Sequence, residues 1–81
     1  MTRVNTAIAK LTKSFPEITG IRKDTNDSIH LGNAGEGGLI NNHYAAEYYS
    51  GYINEILDFK LESMGFYPEF IDAGTLIAYR I

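Results

Sequence analysis

The chain has 81 residues, no cysteine and a formal net charge of −3, which predicts a single domain over residues 1–81 without disulfides, thiolate zinc sites or a cysteine nucleophile. With 44% hydrophobic and 21% charged residues, it has the composition of a folded globular protein rather than of a disordered chain. No stretch approaches the roughly 18 apolar residues of a membrane span, and the first residues lack the apolar core of a signal peptide, so we expect a cytoplasmic protein without membrane contacts.

Charge is distributed unevenly along the chain. Residues 1–23 contain five basic residues and one acid, for a net charge of +4, whereas residues 24–81 contain nine acids and two basic residues, for a net charge of −7. Either the fold separates these charges into two electrostatic faces, or they attract each other within it.

The first elements read as a helix followed by a hairpin. Residues 3–14 place Val4, Ala7 and Leu11 on one helical face, with Thr2 as the N-cap, and Pro16 fixes the end of this helix. Residues 18–23 and 28–31 are rich in β-branched residues on either side of the polar cluster 24–27, which predicts two strands joined by a turn.

The Gly-rich segment 32–38 has the most unusual local composition in the chain. Such a loop between a strand and a helix is the setting in which backbone N–H groups cradle phosphate. The Lys-Ser or Lys-Thr pair of a P-loop is absent, so we interpret the segment as a conformationally demanding connection, with Leu39 and Ile40 either anchored in the core or forming a short strand. The alternative is a loop that binds a nucleotide or similar anion, together with Asn41 or Asn42. Its residues would be Asn33, Gly35, Glu36, Gly37 and Gly38.

A long helix is predicted over residues 43–65. Its apolar face would be buried, and its first turn would be capped by Asn41 or Asn42. Gly65 would end it as the left-handed residue that follows a helix C-terminus. The predicted buried face consists of Ala45, Tyr49, Tyr52, Ile53, Ile56 and Phe59.

Two further strands are predicted over residues 66–71 and 75–81, around a turn at 72–74. Pro68 confines the first of them to a sheet edge or a short piece. The second is apolar on both sides, which indicates an interior strand or an edge sealed by a dimer. We therefore predict an α+β fold in the order α-β-β-α-β-β, with two layers: an antiparallel sheet of about four strands and two helices on one face.

No candidate catalytic site or metal site emerges from the sequence. His30 and His43 lack a spacing that would place two metal ligands on one face. No serine lies in a nucleophile elbow. The carboxylates of the long helix would remain in water, without the burial or special partner that acid–base catalysis needs. We expect a protein that is not an enzyme and needs no cofactor.

A surface for binding another protein is the feature that stands out. Tyrosines supply contact area at small entropic cost, and a row of carboxylates can pair with the basic residues that a partner normally uses for phosphates. The simpler readings are core packing for the tyrosines and a solvated face for the acids. The negative sign of the surface disfavours direct DNA binding. The predicted partner-binding residues are Tyr44, Glu47, Tyr48, Glu55, Asp58 and Glu62.

Three segments, 29–33, 36–38 and 72–79, resemble small uncharacterised accessory proteins of phages and prophages. This resemblance implies an inhibitor of the anti-CRISPR type, which occupies a site on a host defence complex that handles nucleic acid. The leading hypothesis is therefore a phage-type inhibitor in the host cytoplasm. The alternatives are a small-ligand module that uses residues 32–38 and a structural homodimer sealed through the C-terminal strand.

Overall fold

The computed structural model describes residues 2–81, and over these residues it contains two α-helices and a four-stranded antiparallel sheet. An α+β fold with such a sheet is thereby confirmed. Two two-stranded hairpins, which the sequence analysis did not predict, lie between the Gly-rich segment and the second helix. In chain order the elements are α1 (Val4–Ser14), β1 (Ile21–Thr25), β2 (Ser28–Leu31), a 3₁₀ helix (Gly32–Gly35), β3 (Leu39–Ile40), β4 (His43–Tyr44), β5 (Ala46–Glu47), β6 (Tyr52–Ile53), α2 (Glu55–Ser63), β7 (Phe66–Asp72) and β8 (Thr75–Arg80).

Helix α1 and the first hairpin form much as their sequences predict. Val4, Ala7 and Leu11 are buried at i, i+3 and i+7, and the helix ends one residue before Phe15, which precedes Pro16. Arg3, rather than Thr2, occupies the N-cap position, and it makes no side-chain cap. Strands β1 and β2 pair antiparallel on either side of a tight turn.

The predicted long helix over residues 43–65 is wrong. Asn41 and Asn42 have φ values of +50° and +67°, and two consecutive left-handed residues make the turn of a two-residue hairpin between β3 and β4. They therefore do not cap a helix. Gly51, with φ of +71°, helps to close the next hairpin, between β5 and β6. Helix α2 starts only at Glu55, after Asn54, whose side chain accepts the N–H of Ile56.

The face that α2 buries also differs from the prediction. Leu57, Leu61 and Met64 point into the core, whereas Ile56 and Phe59 are exposed. Residues 57, 61 and 64 also share one face of a helix. In the helix that starts at Glu55, this is the face that is buried. Gly65 follows the helix with φ of +87°, and its N–H donates to the Glu62 carbonyl oxygen at 3.0 Å. This is the left-handed residue that was predicted to end the helix.

The main sheet has the strand order β1-β2-β8-β7. Strand β8 pairs with β2 on one side and β7 on the other; it is therefore an inner strand and offers no free edge for a dimer. Strand β7, which contains Pro68, is at an edge, as that proline predicts. The Arg80 guanidinium lies 4.3 Å from the centre of the Phe66 ring, a cation–π contact at the end of β8.

One hydrophobic core joins the helices, the sheet and the short hairpins. The hairpin region, which was predicted as the first turns of the long helix, contributes Ala45 and Ala46 to this core. Its members include Val4, Ala7, Leu11, Ile29, Ala45, Ala46, Leu57, Leu61, Phe66, Leu76 and Ala78. Within residues 2–81, no helix is both long enough and apolar enough to cross a membrane.

Candidate functional site

The outward side of α2 combines three carboxylates with two exposed apolar side chains. Glu55, Asp58 and Glu62 occur at i, i+3 and i+7 and are exposed, so they form one row along the helix. Phe59 is 68% exposed and Ile56 is 50% exposed. At about 100° per residue, Phe59 lies next to the acidic row and Ile56 lies beyond it. We call these five residues the α2 face.

An open apolar groove borders the α2 face. It has a volume of about 500 Å³, and its floor is shared between the end of α1 and the outward side of α2. Lys60 is the one residue of this lining that carries a charge. The lining residues are Ser14, Phe15, Ile56, Phe59, Lys60 and Ser63.

Glu47 does not belong to this row of acids, although the sequence analysis placed it there. It lies on β5, where its carboxylate accepts the backbone N–H groups of Tyr49 at 2.6 Å and Ser50 at 3.0 Å. Hydrogen bonding by the Ser50 side chain and by the Tyr49 N–H lowers the pKa of Glu47 below its ordinary value of 4.5. The expectation that this carboxylate has no special partner is therefore wrong, and its evident role is to hold the turn between β5 and β6.

Tyr44 and Tyr48 are also separated from α2, because they lie on β4 and in the turn that follows β5. They line a cleft of about 320 Å³ on whose other side is the Gly-rich segment. Two features that the sequence analysis treated as separate candidate sites therefore meet in one place. We call this place the tyrosine cleft. Its lining residues are Gly35, Glu36, Gly37, Tyr44, Ala46, Glu47, Tyr48, Tyr49 and Ala73.

The aromatic rings of this region meet edge to face. The Tyr48 ring is 5.3 Å from the Tyr49 ring, with an angle of 82° between their planes, and 5.4 Å from the Phe70 ring, with an angle of 84°. Tyr49 is 88% exposed and Tyr44 is 57% exposed. Tyr49 was predicted to be buried, and its exposure follows from its position in a turn rather than on a helix.

The Gly-rich segment is held by Asn33. The Asn33 carbonyl oxygen accepts the N–H groups of Glu36 at 2.9 Å and Gly38 at 2.8 Å, and the Asn33 Oδ1 accepts the N–H of Thr19 at 3.1 Å. The N–H groups of Gly32, Asn33, Glu36 and Gly38 are thus already engaged within the protein and are not offered to an anion. Leu39 and Ile40 form the short strand β3, as one of the two alternatives predicted. Ile40 is buried in the core, whereas Leu39 is exposed and does not anchor the segment.

The two histidines lie in different settings. His30 Nδ1 accepts the N–H of Gly32 at 3.0 Å, so this nitrogen has a structural partner. His43 is exposed on β4. In the part of the chain that the structure describes, no three His, Cys, Asp or Glu side chains are grouped so that they could hold a metal ion.

Protein-family models, curated proteins and solved structures give no match to this chain. The geometry of its own surfaces therefore carries the functional argument. Sequence reasoning found the acids of the α2 face but missed its apolar members, Ile56 and Phe59, by assigning them to the core. The signal that would have found them is the sequence Asn54-Glu55, an N-cap followed by an acidic first turn, with the buried stripe at 57, 61 and 64.

The basic first part of the chain does not neutralise the α2 face through close ion pairs. Over residues 2–81 one such pair forms, between Arg80 Nε and Asp27 Oδ1 at 3.7 Å, and neither residue belongs to residues 1–23 or to α2.

Proposed function

We propose that this protein is a non-enzymatic binding protein whose α2 face contacts a basic surface of another protein. The observation that carries the proposal is the exposure of Phe59 and Ile56 next to Glu55, Asp58 and Glu62. Exposed side chains of this size contribute contact area in an interface, while carboxylates around them select a partner that presents lysine and arginine.

The arrangement of the helices supports the accessibility of this face. α1 and α2 both contribute buried side chains to the same core as the sheet, which fits a two-layer fold in which both helices cover one side of the sheet. Phe59, on the side of α2 opposite Leu57 and Leu61, is accordingly 68% exposed.

The class of partner follows from the sign of the charge. A protein surface that binds nucleic acid is rich in lysine and arginine, and a row of carboxylates competes for those residues. We propose that the partner is a host complex that handles nucleic acid, and that the protein acts as a stoichiometric inhibitor of the phage-encoded, anti-CRISPR type. Direct binding of DNA by the α2 face is disfavoured by the same charge.

The test is inhibition of purified CRISPR effector nucleases by the protein at equimolar and higher ratios. We expect the triple variant E55K, D58K and E62K to lose inhibition of the susceptible complex while it remains folded by circular dichroism. The single variants D58K and E69K form a matched pair, because both reverse one exposed carboxylate and only the first lies on the α2 face. Full inhibition by the triple variant, or equal losses in D58K and E69K, would contradict the proposal.

Binding of a small ligand is the second candidate function, and the tyrosine cleft is the observation that favours it. The loop residues Gly35, Glu36 and Gly37 form one wall of the cleft, with Asn33 and Gly38 behind them, and the acidic lining makes a nucleotide the less favoured class of ligand. A ligand at 100 times its Kd stabilises the folded state by about 2.7 kcal/mol, so thermal unfolding in the presence of a nucleotide panel detects it. The third candidate, a structural homodimer, is tested by the molar mass in light scattering.

A further inference from the structure

The tyrosine cleft has a chemical character that differs from that of a nucleotide site. Three tyrosines line it, Tyr44, Tyr48 and Tyr49, and two carboxylates join them, those of Glu36 and Glu47. Among the lining residues within the described part of the chain, none is basic. An anion entering this cleft would meet the negative charge of the two carboxylates.

We propose that the tyrosine cleft binds an organic cation, in the form of an alkylammonium or guanidinium group. The face of an aromatic ring carries partial negative charge and attracts such a cation, and quaternary ammonium groups are recognised by sets of aromatic rings set at angles to one another. Tyr44, Tyr48 and Tyr49 line the cleft, and the Tyr48 and Tyr49 rings meet edge to face at 82°, so they are set at an angle to one another. Glu36 and Glu47 supply the formal charge that balances the ligand.

The backbone behind these rings is fixed, so the cleft exists before a ligand arrives. The Tyr44 carbonyl oxygen accepts a hydrogen bond from the Asn54 side chain at 3.2 Å. The N–H of the next residue, Ala45, donates to the carbonyl oxygen of Gly38 at 2.9 Å. The carboxylate of Glu47 holds the turn that carries Tyr48 and Tyr49. A site whose backbone is already ordered loses less entropy when it binds.

This inference does not rest on the proposed function, because no residue of the cleft lies on the α2 face. The cation could be a free small molecule or a basic side chain of another protein. Choline serves as the probe for the first source and N-acetyl-arginine amide for the second. The neutral probe 3,3-dimethylbutan-1-ol has the shape of choline without its charge and therefore isolates the electrostatic contribution.

The experiment is a titration of the ¹⁵N-labelled protein with each probe, followed through the amide signals of Gly35, Gly37 and Ala73. We expect saturable shifts with choline or with N-acetyl-arginine amide, and binding of the neutral probe to be weaker by about fivefold or more. Binding of the neutral probe as tight as that of choline would overturn the proposal, as would the absence of saturable shifts with both cations.

Two variants of Tyr44 distinguish the contribution of its aromatic ring to binding from that of its hydroxyl group. Y44L should weaken binding of the cation about fivefold, whereas Y44F, which keeps the aromatic face, should bind it nearly as well as the native chain. E36Q should also weaken binding, and Y67L, on β7, is the matched control that should not. Equal affinities of Y44L and Y44F would overturn the proposal. The triple variant of the α2 face should bind the cation normally, which keeps this test separate from that of the proposed function.

Discussion

The side chain of Asn54 donates a hydrogen bond to the carbonyl oxygen of Tyr44 at 3.2 Å. The same buried side chain accepts the N–H of Ile56 at 2.9 Å and so caps α2. The backbone N–H of Asn54 donates to the carbonyl oxygen of Ala45 at 2.8 Å. One residue therefore connects the start of the helix that carries the α2 face to the strand that carries a wall of the tyrosine cleft.

Replacing Asn54 with alanine should lower the free energy of unfolding by about 2 kcal/mol, because it removes an N-cap and leaves the Tyr44 carbonyl oxygen without its side-chain donor. Urea denaturation measures this loss. The variant N54S keeps an acceptor for the cap but lacks the amide donor, so its stability should lie between those of N54A and the native chain. If N54A unfolds at the native urea midpoint, the connecting role of this residue is wrong.

Leu61 and Phe59 provide a direct test of which side of α2 is buried. L61A should cost about 2–5 kcal/mol of stability, since Leu61 is fully buried in the core. F59A should change stability by no more than about 0.5 kcal/mol, because that ring lies in solvent. Thermal unfolding of both variants side by side gives the answer. The reverse ranking would restore the helical face that the sequence predicts.

Gly38 should not tolerate a side chain. A Cβ atom at this position would lie 2.6 Å from Asn33 Oδ1 and 2.7 Å from the Asn33 carbonyl oxygen, and Asn33 is the residue that holds the Gly-rich segment. We expect G38A to lose about 1–3 kcal/mol, with shifted amide signals at Thr19 and Glu36. In G51A the added Cβ meets nothing within 4 Å, so this control should lose only the cost of a left-handed alanine, about 1–2 kcal/mol, without those shifts.

The stability of the protein should fall in acid partly through Glu47. Its pKa in the folded state lies below the ordinary value of 4.5, so its contribution to stability is fully present above that value and is lost as the pH falls through the lowered pKa. The loss of Tm as the pH falls below 4.5 should therefore be smaller in E47Q than in the native chain. Asp72 acts in the same direction: the Thr75 side chain and the Gly74 N–H lower its pKa from 3.8. D72N is thus a second test, and a pH profile unchanged in both variants would contradict the assignment.

The parts of the fold that were predicted from sequence are those with strong local signals. Pro16 ends α1, Gly65 ends α2, and the segment 72–74 turns β7 into β8 because of residue types that act on their own backbone. These signals need no knowledge of distant contacts.

The segment 41–54 was mispredicted because its structure depends on contacts that sequence spacing does not reveal. Its alanines and tyrosines recur at helical intervals, yet Ala45 lies between the two hairpins, where its backbone is hydrogen-bonded to Gly38 and Asn54. Two local signals were present, the Asn41-Asn42 pair and Gly51, which lies inside the predicted helix. For the candidate sites the result is mixed: the three acids of α2 share a face as predicted, whereas Tyr44, Glu47 and Tyr48 belong to a different surface.

The two outer strands of the sheet are poorly suited to recruiting a strand from another molecule. Strand β7 carries Pro68, which has no N–H to donate, and its register shifts between Phe70 and Asp72. Strand β1 is exposed, carries adjacent charges and has an irregular register between Lys23 and Thr25. Charges, proline and bulges at sheet edges prevent the end-on growth that leads to aggregates and fibrils. Both edges of the main sheet are thus protected against strand addition in a chain that also displays several large apolar side chains to solvent.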